Sequence, residues 1–230
     1  MPNYHPQTPL LSLKITFEGG KLIVIVENLE PCPSPWLLKE YEYVASIFRE
    51  SLLITNVRGS MAQALKSLQR RYGFRTSTSS VRDAVRELRI EKVVVLDPKA
   101  GEALKPEDLR ACDAVVIGGI MGDHPPRGRT WELITSRLEN PIPRNLGEGQ
   151  LTIAGAAYVL KEVMSGKRLE ELEFIDGLRL RLSMLGAEVV VELPYRFPAV
   201  GGKPVLPEGY VDVVARRSLF YESFEACSEG

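Results

Sequence analysis

The residues best equipped for chemistry in this 230-residue chain stand together in Gly118-Gly-Ile-Met-Gly-Asp-His-Pro-Pro-Arg127, followed by Arg129 and Thr130. Gly118, Gly119 and Gly122 let backbone come close to a ligand, because no side chain intervenes. Asp123 and His124 supply a carboxylate and an imidazole, groups that hold cations and move protons. Arg127 and Arg129 supply planar forks that match phosphate or carboxylate. The apolar run Ala114-Val-Val-Ile117 leads directly into this segment and reads as a buried strand. The chemistry therefore falls at the carboxyl end of a strand, the edge where α/β sheets usually bind ligands.

Two more segments share that character. Arg144-Asn-Leu-Gly-Glu-Gly-Gln-Leu-Thr152 enters a helical pattern, and Leu193-Pro-Tyr-Arg-Phe-Pro198 follows a β-branched run. Each mixes glycine or proline with polar or aromatic residues, as a pocket built from backbone groups requires. A dinucleotide fingerprint would read G-x-G-x-x-G and open a helix early in the chain, whereas these glycines come late and run into two prolines. No lysine follows a glycine loop in the manner of a phosphate cradle. The histidines are His5 and His124, and Cys32, Cys112 and Cys227 are scattered. Neither a metal-ligand spacing nor a Ser-His-Asp arrangement is legible, so no metal is expected.

A net charge of −1 gives no global pull on nucleic acid. Local arginines keep a polyanion contact open: Arg70, Arg71 and Arg75, then Arg127 with Arg129, then Arg179 with Arg181. No apolar run approaches the roughly 20 residues of a membrane helix, and Met1 to Pro9 lack a signal peptide's basic start. The expectation is a cytoplasmic protein with no membrane partner.

Positioning these loops falls to alternating strands and helices, the pattern of a mainly parallel sheet with helices on both faces. Strands are predicted at Lys21–Val26, Leu52–Val57, Lys92–Asp97 and Glu188–Leu193, with Leu13–Phe17 and Gly19-Gly20 suggesting a hairpin into the first. Helices are predicted over Trp36–Glu50, Met61–Tyr72, Val81–Leu88, Arg129–Leu138, Gln150–Ser165 and Asp212–Phe224, with a short one at Pro106. Pro141–Leu146 reads as short and extended. No linker or repeat divides the chain, so one domain is expected.

The three loops resemble a family of the SPOUT superfamily of S-adenosylmethionine-dependent methyltransferases. That family contains archaeal and eukaryotic proteins described as RNA methyltransferases and a fungal branch assigned to protein arginine methylation. The resemblance rests on Leu96-Asp-Pro98, Gly118 to Arg127 with Arg129-Thr130, Leu146-Gly147 with Gln150 and Thr152, Pro194 with Arg196, and Gly202 to Gly209. It spans roughly Lys21 to Arg216, and the Gly-Asp-His-Pro-Pro-Arg string is its most specific part. It implies one α/β SPOUT domain over 21–217, with a deep trefoil knot in about 114–200. An extension with an extra strand would precede it over 1–20, and a tail would follow over 218–230. It also implies S-adenosylmethionine bound in a bent form among the knot loops, largely through backbone. The acceptor would be a protein arginine, with the translation machinery as one source, or RNA. A monomer and a homodimer are both consistent with the sequence.

On this resemblance Gly118, Gly119, Ile120 and Gly122 meet the cofactor, Leu146, Gly147, Gln150, Leu151 and Thr152 take its adenosine end, and Pro194 and Tyr195 line the pocket. Simpler roles exist for several of these. The glycines would serve turn geometry, Gln150 and Thr152 would cap a helix, and Tyr195 with Phe197 would be core aromatics. Asp123, Glu27 and Glu208 are the candidate catalytic acids. An arginine acceptor stays protonated with a pKa above about 12, and a carboxylate can hold its guanidinium as a fork and help withdraw its proton. Asp123, ahead of Pro125-Pro126, is equally suited to capping a helix. His124, Arg127, Arg129, Arg144 and Arg196 would face the substrate, with His124 as a base or a structural group and the arginines gripping phosphate if the acceptor is RNA. The competing class is a non-catalytic RNA- or ribosome-binding module on the same scaffold.

Overall fold

The computed structural model describes residues 22–122, 127–184 and 187–219. Asp123, His124 and the predicted Leu13–Phe17 strand lie outside the described residues, as do the first residues of the chain and its end. The strands are β1 (Ile23–Asn28), β2 (Leu52–Thr55), β3 (Arg75–Thr76), β4 (Val93–Leu96), β5 (Ala114–Gly119), β6 (Ile142–Arg144), β7 (Glu173–Met184), β8 (Ala187–Val200) and β9 (Lys203–Pro204). The helices are α1 (Pro35–Phe48), α2 (Gly59–Tyr72), α3 (Val81–Glu87), α4 (Pro106–Ala111), α5 (Arg129–Leu133), α6 (Ile153–Met164) and α7 (Tyr210–Leu219).

Six strands form one sheet in the order β3-β2-β1-β5-β4-β6, and every pairing in it is parallel. The strands of its centre are apolar on both faces because helices cover both. Val24, Val26, Ile54, Val94 and Ile117 pack under α1, α2, α4 and α6. Ile25, Leu53, Val95 and Val116 pack against α3 and the turn after α5. Helix starts follow local chemistry. Ser34 accepts from Leu37 N at 3.1 Å with Pro35 opening α1, and Ser80 accepts from Asp83 N at 3.3 Å ahead of α3. Gly73, at φ +76°, closes α2 in the left-handed region.

The sequence reading differs from the structure in three places. The predicted strand Glu188–Leu193 is the middle of β8, which pairs antiparallel with β7 and then with β9 in a second, three-stranded sheet. Leu178-Arg-Leu-Arg-Leu182 carries the period-two alternation of such a ribbon, and Arg179 faces Glu192 across it at 2.9 Å. The helix predicted over 129–138 ends at Leu133, and a single 3-10 turn, Thr135–Arg137, follows. The helix predicted from Gln150 begins at Ile153, because Thr152 is its N-cap and Leu151 is drawn out to bridge Arg196 of β8.

Candidate active site

The carboxyl ends of β4 and β5 and the segment joining β6 to α6 surround a cleft of about 590 Å³. Leu96, Asp97 and Pro98 form one wall, and Ile117, Gly118 and Ile120 form a second, with Thr130 of α5 beside them. The third wall is Leu146, Gly147, Gly149, Gln150, Leu151 and Thr152. The structure thus brings together Gly118, Ile120, Leu146, Gly147, Gln150, Leu151 and Thr152 from segments distant in sequence. Gly147 and Gly149 sit at φ +90° and +80°, where a side chain is strained, so this wall presents bare backbone. Thr152 has both expected roles at once, since it lines the cleft and its hydroxyl accepts from Gly155 N at 3.0 Å as the cap of α6.

Gly119 lies elsewhere. Successive strand residues point to opposite faces, and a Cβ at 119 would lie 2.6 Å from both the Glu27 carbonyl oxygen and the Tyr41 hydroxyl. This glycine admits Tyr41 of α1 onto the sheet, where its hydroxyl donates to Asn28 Oδ1 at 2.8 Å. Gly122 is needed for close approach too, since a Cβ there would lie 2.6 Å from Gln150 Nε2 and 2.7 Å from the Tyr195 ring. Three side chains pin the backbone around it. Met121 N donates to Glu30 at 2.8 Å, Arg129 donates to Met121 O at 2.5 Å, and the Tyr195 hydroxyl donates to Gly122 O at 2.8 Å.

The other named residues are placed as follows. Glu27 is buried on the α3 side of the sheet, where its carboxylate accepts from the Thr55 hydroxyl at 2.5 Å and from Val81 N at 2.9 Å. Burial raises its pKa, and those two hydrogen bonds offset part of the rise. It is not among the residues that line the cleft. Arg144 forks onto Asp108 at 3.0 and 3.1 Å, a pairing that raises its pKa. Arg196 braces the cleft from behind. Its amide donates to Gln150 O at 2.8 Å, its guanidinium to Glu148 O at 2.6 Å, and it stacks 4.2 Å from the centre of the Phe174 ring. Pro194 is exposed where β8 has two residues opposite Gly177 alone, a bulge that suits a residue without an amide donor. Glu208 is exposed in the turn before α7. Arg127 and Arg129 line a groove with Pro98, Lys99 and Gln150 that opens from the same edge as the cleft.

Sequence reasoning missed Asp97 and Glu40. Asp97 is fully buried at the end of β4 and accepts from the Thr135 hydroxyl at 2.5 Å and from Lys99 N at 2.9 Å, which fixes the turn into the cleft. Glu40, on the inner face of α1, is also fully buried and accepts from Ala154 N at 2.6 Å and from Trp36 Nε1 at 3.2 Å. Burial raises its pKa. A buried acid on an amphipathic helix stands out in sequence only as a charge on the apolar stripe. After burial, the charges of Glu30, of Glu27 from across the sheet and of Glu40 push the Tyr41 hydroxyl further above its usual range.

Solved structures share this architecture. The yeast arginine methyltransferase SFM1 complexed with SAM superposes with a TM-score of 0.75 at 29% identity, covering 86% of this chain and 92% of that one. A dual-specific Trm10 from Thermococcus kodakaraensis gives a TM-score of 0.55 at 20% identity, covering 65% and 95%, a likeness of fold alone. With the parallel sheet and the glycine-walled cleft at its carboxyl edge, these likenesses define a SPOUT-fold protein. In sequence, the protein arginine N-methyltransferase SFM1 of Saccharomyces cerevisiae is 32% identical over 206 residues, 84% of this chain and 94% of that protein. The profile of the SFM1-like protein arginine N-methyltransferases matches residues 23–219, and the chain belongs to that family.

Proposed function

We propose that the protein is an S-adenosylmethionine-dependent methyltransferase whose acceptor is an arginine side chain of another protein. The observation that carries this reading is the cleft itself, where Gly118, Gly147 and Gly149 expose backbone beside the apolar Ile117, Leu146 and Leu151. Such a set fits a nucleoside, which asks for amide and carbonyl partners at its base edge and apolar contact on its ring. The solved relative bound to the same cofactor adds support. When bound, S-adenosylmethionine supplies an electrophilic methyl on a sulfonium sulfur, and the electron pair of the broken S–C bond stays on sulfur. The chain's own work is to align the acceptor nitrogen with that carbon and to exclude water.

In this reading Gly118 and Ile120 lie along the amino-acid portion of the cofactor, and Leu146, Gly147, Gln150, Leu151 and Thr152 take the adenosine end. The acids grouped around Tyr41, namely Glu30, Glu27 and Glu40, favour a cationic acceptor over a polyanion, which supports arginine over RNA. The knot across about 114–200 belongs to the same reading, as do a cytoplasmic location and acceptors in the translation machinery.

The test incubates cell extract with the protein and methyl-labelled cofactor. Label lost to protease and retained after nuclease is the expected outcome, and the reverse would move the acceptor to RNA. Asp123→Asn is expected to lower labelling about 100-fold while cofactor still raises the melting temperature. Full labelling with a lowered melting temperature would make Asp123 a helix cap.

A further inference from the structure

A groove of about 870 Å³ continues the cleft, and the two share Pro98, Ile120, Thr130, Gly149 and Gln150 in their walls. The cleft alone already has the size of an ordinary pocket for one small ligand, roughly 300–1,000 Å³. The groove is therefore room for a second molecule. Its charge is one-sided. Lys99, Arg127 and Arg129 stand in its walls, and among the described residues no carboxylate does.

These cations differ in what they already do. Arg129 donates to Met121 O at 2.5 Å and so braces the backbone ahead of the cleft. Lys99 is exposed, and its ammonium makes no hydrogen bond or ion pair with any of the described residues. Its position is nonetheless built. The turn that carries it is fixed, because Lys99 N donates to Asp97 Oδ1 at 2.9 Å. The stem then crosses Gly128, where a Cβ would run into both Cε and Nζ. Gly128 sits at φ +71°, a conformation that suits glycine, so the backbone under the ammonium stays bare.

We propose that Lys99 binds an acidic side chain of the acceptor protein, an aspartate or glutamate within a few residues of the arginine that is methylated. The inference rests on the arginine methyltransferase reading and adds the sequence context which that reading leaves open. An acceptor segment carrying both charges fits both parts of the site. Its cation suits the acids grouped around Tyr41, and its anion suits the groove. A phosphate backbone would meet those acids as well as the cations, so a single carboxylate is the better fit. An ion pair at an exposed lysine adds little affinity, and its use is to choose among arginines.

The test takes as acceptor the protein band that the wild type labels in cell extract, together with a synthetic peptide spanning its methylated arginine. Lys99→Met keeps most of the stem and removes the charge, whereas Lys99→Glu reverses it. The acceptor KM should rise about threefold in K99M and about tenfold in K99E, with kcat and the calorimetric affinity for S-adenosylmethionine held. Added salt should shrink the gap between K99E and the wild type. Exchanging the peptide's acid nearest the arginine for lysine should raise the wild-type KM and lower that of K99E. A K99E KM within about twofold of the wild type overturns the proposal. A matching loss of cofactor affinity overturns it too, since the groove would then hold the cofactor's own carboxylate. A wild type that binds cofactor but labels no protein, or labels RNA, is a different failure, because it removes the acceptor reading itself and this assignment with it.

Discussion

Gly118 and Gly119 are adjacent, yet they serve opposite faces of β5. Gly118 opens onto the cleft, and a Cβ there would meet Thr130 Oγ1 at 3.1 Å. Gly119 lies under α1, where a Cβ would press on the Glu27 carbonyl and the Tyr41 hydroxyl. The two alanine substitutions should therefore separate binding from stability. Gly119→Ala is expected to lower unfolding stability by about 1–3 kcal/mol, read from urea melts, because backbone and a buried phenol must move. Gly118→Ala is expected to weaken cofactor binding roughly tenfold by calorimetry with a smaller loss of stability. Equal affinities in both variants would show that Gly118 does not face the ligand. Nothing in the string Gly118-Gly119 distinguishes these roles; the pleat of a strand does.

At the scale of elements, the cleft wall from Leu146 to Thr152 is held from behind by the second sheet. Arg196 of β8 bonds Glu148 O and Gln150 O, and its stem lies against Gly149, where a Cβ would come within 3.2 Å. Replacing it by leucine removes the guanidinium bond to the loop while the amide bond to Gln150 stays. We expect Arg196→Leu to weaken cofactor binding about tenfold, because the loop must then be ordered at the moment of binding. An unchanged affinity would mean that the left-handed glycines alone set the loop. The central strands were legible because a sheet covered on both faces reads as unbroken apolar runs. The β7 ribbon is not legible in the same way although Leu178, Leu180 and Leu182 alternate with Arg179 and Arg181, because its pairing with β8 is a tertiary contact that periodicity does not encode. The start of α6 was misplaced by three residues because the pull of β8 on Leu151 is a tertiary contact, invisible to periodicity.

Across the whole molecule, buried acids couple folding to pH. Burial raises the folded pKa of Glu27 above its ordinary value of 4.5. The folded state thus binds that proton more tightly than the unfolded chain. The stability this contributes is complete below pH 4.5 and is lost as pH rises through the folded value. Glu27→Gln does not titrate, so its melting temperature should gain on the wild type as pH is raised from 4.5 toward neutrality. A difference that stays constant over this range would mean that Glu27 is already ionised at its lower end. Sequence alone determined the class of fold, the parallel order implied by alternating strands and helices, and the place of the cleft, because apolar periodicity and glycine strings are local properties of the chain. Only the tertiary structure set Glu40 against Ala154, 114 residues away, and brought Lys99 and Gln150 to one groove. Burial and proximity arise from the packing of distant elements, and no spacing along the chain encodes them.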